Sequence, residues 1–171
     1  FILSECQTSI KSILSEEGRV MILRSLLNQI KERLRIFHAS TKLPGLAQEL
    51  SRVIREFQQS RVSPQKILDL SSSDKLPARA RHKLHDIGIL FQEYQSWIQL
   101  KKLHDPDHLL DLAADALRSS RELNTNIPVF QLGGLWMDGF ASLTPQELNL
   151  LTLLAPLSNK TVLAFCADSF P

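Results

Sequence analysis

Leu135-Trp136-Met137-Asp138-Gly139-Phe140-Ala141-Ser142-Leu143-Thr144-Pro145-Gln146-Glu147-Leu148 is the stretch that decides the fold class. An apolar run ends in an acid, a Gly-Phe pair follows, and a helix then starts. Thr144 is placed to cap that helix. Pro145 takes the first helical position, where its missing N–H costs nothing, and Glu147 stands three residues after the cap. A second apolar run, Thr161-Val162-Leu163-Ala164-Phe165-Cys166-Ala167-Asp168, follows. The order predicts strand, helix, strand over 127–171, with an acid at the carboxyl end of each strand. Parallel sheets bind ligands at those ends.

Everything before this piece reads as helix. Ser15 is a candidate N-cap with Glu16 and Glu17 behind it, where acids suit a helix start. Val20, Leu23, Leu27, Ile30, Leu34 and Phe37 recur at spacings of three and four, which predicts one long helix over 16–39. Thr41-Lys42-Leu43-Pro44-Gly45 breaks it. A second helix is predicted over 44–60, with Leu46, Ala47, Leu50, Val53, Ile54 and Phe57 inward. A third starts at Ser63-Pro64 and runs to Leu70. A fourth, over 77–103, carries Ala80, Leu84, Ile87, Phe91, Tyr94 and Ile98 on one face. Gly88 inside it costs about 1 kcal/mol relative to Ala, and a close helix–helix contact would explain it. Asp105 is placed to cap a fifth helix that reaches Ser119. Asn124 to Pro128 reads as a linker, and residues 1–12 as the tail of a helix. The prediction is therefore a predominantly α chain. A lobe of about five helices over 1–126 precedes a short strand–helix–strand piece of a parallel α/β sheet. Two parallel strands do not make a stable sheet alone, so further strands or the helices must support them.

Composition narrows the function classes. The chain has 171 residues, 43% of them hydrophobic, which suffices for a sizeable core, and a net charge of +2, which is no polycation. Nineteen Lys/Arg face fifteen acids up to Asn126, and one Lys faces three acids thereafter, so an anionic partner suits the helical part better. Cys6 and Cys166 are far apart and form no CxxC, which predicts a reducing, cytoplasmic setting. No apolar run reaches ~18 residues, so no membrane helix is predicted. Phe1 is followed by no basic n-region or cleavage site, so no signal peptide is predicted. The chain reads as a piece of a longer protein.

Asp138 is the leading candidate for chemistry. In P-loop NTPases an acid at the end of an apolar strand helps hold Mg²⁺, and a following acid polarises the attacking water. Here Gly139 follows and cannot act as a base. The sequence also contains no G-x-x-x-x-G-K-[ST] to cradle a triphosphate. The alternative is that Asp138 closes a buried strand and binds loop N–H groups. Arg79-Ala80-Arg81-His82-Lys83 is the densest basic run, and Arg52 and Arg55, with Arg61, form a weaker cluster. Both are candidates for phosphate contact, against the alternative of solvated helix faces. His104 and His108 are four apart, but Asp105 as a cap puts His104 ahead of the helix. His82 and His85 lie among cations, which disfavours a metal, so none is expected. Trp97 and Trp136 sit in apolar contexts and read as core or interface.

The order of these segments resembles the AddB/RexB family, the B subunits of bacterial ATP-dependent helicase–nucleases. The specific match is Trp136-Met137-Asp138-Gly139-Phe140 with Leu143-Thr144-Pro145-Gln146-Glu147. Leu14-Ser15-Glu16-Glu17-Gly18-Arg19, Pro44-Gly45-Leu46, Val62-Ser63-Pro64-Gln65, Lys83-Leu84-His85-Asp86-Ile87 with Phe91 and Tyr94, and Leu103 to Leu110 are similar in collinear order. The resemblance implies that residues 1–126 are the helical lobe inserted in the first motor subdomain, called 1B. It implies that 127–171 belongs to subdomain 1A, with Asp138 and Gly139 at the position of helicase motif II. It further implies a degenerate motor that contacts DNA and a partner A subunit in DNA-break processing. ATP and Mg²⁺ would belong to the parent protein, and this segment would be inactive by itself. A protein–protein module without DNA contact is the alternative, and no membrane partner is expected.

Overall fold

The computed structural model describes residues 13–122 and 131–165. Six α-helices lie within them: α1 (Glu16–Gln29), α2 (Leu46–Gln59), α3 (Pro64–Ser71), α4 (Ala78–Lys101), α5 (Leu109–Glu122) and α6 (Pro145–Leu154). Two strands, β1 (Leu135–Phe140) and β2 (Thr161–Phe165), precede and follow α6 and pair in parallel. The fold is mainly α with a short parallel strand piece, as the patterning predicts. The expected tail of a helix at residues 1–12 lies outside the described residues, as do the expected linker and Cys166 to Asp168. No helix among the described residues is long and apolar enough to cross a membrane.

By their contacts the residues form two compact units, Lys11–Asp107 and a unit built from His108 onward. Helical patterning alone groups α5 with the lobe. Instead α5 packs with α6. Gln146 Nε2 donates to Asp111 Oδ2 at 2.8 Å, and Arg118 Nη2 donates to Asn149 Oδ1 at 2.5 Å. Ala113, Ala114 and Leu117 turn the apolar side of α5 inward.

The first unit is a four-helix lobe. Leu23, Leu27, Ile54, Leu90, Phe91 and Tyr94 are its most completely buried aliphatic and aromatic side chains. The local signals act as expected at two helix starts. Ser15 Oγ accepts from Gly18 N–H and Ser63 Oγ from Lys66 N–H, with Pro64 leading α3. Gly88 marks the close contact its presence implies. A Cβ there would lie 2.8 Å from Leu68 Cδ2 and 3.4 Å from Ile67 Cγ2, both on α3.

The predicted long first helix is shorter. It ends at Gln29 and gives way to 3₁₀ turns at Lys31–Arg33 and Phe37–Ser40. Arg33 and Leu34 N–H turn back to the carbonyls of Ile30 and Lys31, so the last turn has tightened before Leu34. Beyond that point a non-local contact takes over. The fully buried carboxylate of Asp86 on α4 accepts the N–H groups of Arg35 (2.8 Å), Ile36 (2.7 Å) and Phe37 (3.0 Å). Those donors would otherwise serve helical carbonyls, so the helix cannot continue through them.

Candidate functional site

Asp138 and Gly139 do not end the strand. β1 runs on to Phe140, and its register slips between them: Met137 pairs with Leu163, yet Phe140 pairs with Phe165. One extra residue on β1 is a β-bulge, and Gly139 takes it up at φ +76°. Asp138 is exposed, and its Oδ1 accepts the Gly139 N–H at 2.6 Å. The rings of Phe140 and Phe165 meet edge to face, 4.7 Å between centroids, and hold the strands together past the bulge.

Beyond the bulge the capping box forms in full. Thr144 Oγ1 accepts from Glu147 N–H at 3.2 Å, and Glu147 Oε2 accepts from Thr144 N–H at 2.7 Å. Gln146, only 2% exposed, ties this helix to Asp111 on α5. Thr-Pro-Gln-Glu is therefore a docking and capping device, and each of its four residues has a structural task. Trp136, read as core or interface, is 65% exposed and so is not core. Its ring lies over Gly134, where no Cβ would fit. Its partner Val162 and the neighbouring Phe165 are exposed too. Trp97 does pack against the lobe core.

Nucleotide and Mg²⁺ are the groups implied at the motif II position, and the residues do not fit them. The carboxylate expected after Asp138 is a glycine held at positive φ, where any other side chain is strained. Asp138 itself is bonded to the bulge.

The basic candidates divide. Arg52 pairs with Glu49 at 2.5 Å, Arg81 with Asp74 at 2.9 Å, and Arg55 with both Glu16 and Asp107 at 3.2 Å. Arg79 and Lys83 lie exposed on the first turns of α4. That helix has no acid in its first turn and no side-chain cap at Pro77, so its partial positive charge adds to theirs. His104 belongs to the lobe and Asp138 to the other unit. His108 Nδ1 lies 3.7 Å from Asp111 Oδ2.

Sequence reasoning missed a buried polar cluster in the lobe. The Arg19 guanidinium, fully buried, donates through Nη2 to Asp105 Oδ1 and Asp107 Oδ2. Asp105, read as a helix cap, does accept Asp107 N–H at 3.0 Å, but its Oδ2 also takes Gln58 Nε2 at 3.0 Å and Tyr94 OH at 2.6 Å. Burial disfavours the Arg19 cation, but Asp105, with Asp107, outweighs this and holds its pKa above the ordinary arginine value. Burial, reinforced by Asp105, pushes the Tyr94 phenol up. The missed signal was register: Arg19, Leu23, Leu26 and Leu27 share one helix face, as do Asp86, Leu90 and Tyr94.

Residues 1–170 match the family model described as ADDB, N-terminal. Among curated relatives, the B subunit of the ATP-dependent helicase/deoxyribonuclease of Desulforamulus reducens is 28% identical over 169 residues, which are 98% of this chain and 14% of the relative. The protein of the same name from Heliobacterium modesticaldum is 30% identical over 171 residues, 98% of this chain and 13% of the relative. That of Pelotomaculum thermopropionicum is 30% identical over 171 residues, 98% and 14% respectively. The chain thus spans 13–14% of the length of these relatives.

Proposed function

The chain belongs to the AddB N-terminal family, and from that membership we propose that it is part of the B subunit of an ATP-dependent helicase/deoxyribonuclease acting in DNA-break repair. Its role there is a scaffold that meets DNA phosphates and the A subunit in the cytoplasm, not a hydrolytic centre. The helical lobe corresponds to subdomain 1B, and the strand–helix–strand unit to subdomain 1A around motif II. The observation that carries the non-hydrolytic reading is the bulge. Where a motor needs a carboxylate to activate water, this chain has a glycine whose backbone only glycine adopts freely. ATP and Mg²⁺ belong to the parent protein.

DNA contact rests on Arg79 and Lys83, exposed at the positive end of α4. Arg52, Arg55 and Arg81 already have carboxylate partners, which favours the second reading of a protein–protein module with no DNA contact. A salt titration separates the two. The 171-residue chain is expected to bind single- or double-stranded DNA at low ionic strength and to lose it as salt rises. Arg79→Ala/Lys83→Ala should flatten the log–log slope by about two. No binding even at low salt refutes direct contact. Gly139→Glu is expected to gain no ATP turnover. Turnover by the unaltered chain, lost in Asp138→Ala, refutes the inactive reading.

A further inference from the structure

A lobe whose chain arrives and leaves at one place has two ends that fray unless something holds them. Here the arriving and leaving segments lie side by side. Ile13 and His104 form a parallel bridge, and Leu14 N–H donates to the His104 carbonyl at 2.9 Å. One such bond is worth about 1 kcal/mol and would not by itself keep two chain ends joined.

A few residues further along both segments, they are joined again by charge. Arg19 from the first turn of α1 reaches Asp105 and Asp107 of the leaving segment. Arg55 on α2 spans both, contacting Asp107 on one side and Glu16 on the other. Gln58 on α2 and Tyr94 on α4 fix Asp105 from the core side. Asp105 is 4% exposed and Arg19 fully buried, so neither charge relaxes into solvent if the other is lost. The cluster draws on both chain ends and on two helices that are neither. That is more than helix packing requires.

We propose that this cluster is a clasp: it ties residues 13–19 to residues 103–107 and both to the lobe core, so that the chain ends open only when the whole lobe does. Without it, the helices still pack through Leu23, Leu27, Ile54 and Leu90, and the ends open first.

Hydrogen exchange on the 171-residue chain tests this by a ratio. In the unaltered chain the amides of Leu14 and Asp107 should exchange as slowly as the core amides of α4. In Arg19→Met they should exchange at least ~100-fold faster than those α4 amides in the same sample. A merely structural arginine would speed all lobe amides equally and leave the ratio unchanged, which overturns the clasp. Asp107→Asn removes one charge from a half-buried position and gives the same ratio test at smaller amplitude if Arg19→Met does not fold. An unaltered chain in which Leu14 already exchanges far ahead of α4 overturns the proposal without any variant.

Discussion

Replacing Asp86 by alanine should cost the lobe more than any other single truncation of a side chain on α4. The carboxylate is fully buried and is the acceptor for three consecutive backbone N–H groups, those of Arg35, Ile36 and Phe37. His85 Nδ1 stands 3.3 Å from its Oδ1. A buried donor left without a partner costs about 1–3 kcal/mol, and these three, on an exposed Arg35 and half-buried Ile36 and Phe37, lie toward the lower end because water reaches them. Three orphaned together therefore cost about 4 kcal/mol. In a lobe of this size each kcal/mol lowers the midpoint by roughly 4–8 °C, so a drop of about 15–30 °C is expected. Asp86→Asn keeps the shape but turns one acceptor into a donor facing N–H groups, and about 2 kcal/mol is expected for it. The assay is urea unfolding in a Trp136→Phe background, so that Trp97, packed on the lobe core, is the only indole reporting. A loss below about 1 kcal/mol in Asp86→Ala refutes the claim that this carboxylate holds the turn at residues 35–37.

Two further outcomes follow from the same packing. Tyr94 is the only tyrosine, so phenolate absorbance that appears in alkaline titration and is missing from a Tyr94→Phe titration reads its ionisation alone. Its folded pKa is raised by burial and by Asp105, so the stability it contributes is complete below the unfolded value of 10.0 and is lost as pH rises past it. Phenolate absorbance should appear only together with unfolding of the lobe, and Tyr94→Phe should lessen the alkaline loss; ionisation near pH 10 with the lobe intact would contradict this. Gly88→Ala should destabilise the lobe by about 1 kcal/mol in the same urea assay. The overlap with Leu68, 2.8 Å from the added Cβ, outweighs the better helix propensity of alanine, and a more stable variant would show that Leu68 simply moves aside.

What the sequence made legible is what is local. Caps at Ser15, Ser63 and Thr144 and the proline starts of α3 and α6 all follow from neighbours within four residues. What it hid is long-range polar chemistry. The apolar spacing through Leu34 and Phe37 is real, but Asp86, about fifty residues on, takes the donors a helix would need there. Asp105 looks like a cap because capping is visible at short range, while Arg19, 86 residues away, is not. At the strand, the Asp138-Gly139 pair reads as a terminus because an acid and a glycine usually stop a strand. Only the pairing of Phe140 with Phe165 shows that the chain steps over them and continues. Charged residues in phase with an apolar stripe were the usable clue, present at Arg19 and at Asp86 alike.

The parallel run of Ile13 beside His104 has a mechanical consequence. The arriving chain reaches the bridge from one direction, and the leaving chain departs in the other. Tension applied between residues 11 and 107 therefore slides the two segments past one another instead of peeling them apart. Every bond across the seam, including the contacts of Arg19, shares that load at once. A protein in which neighbouring parts tug on this lobe would load its seam first and, through Asp105, its core with it.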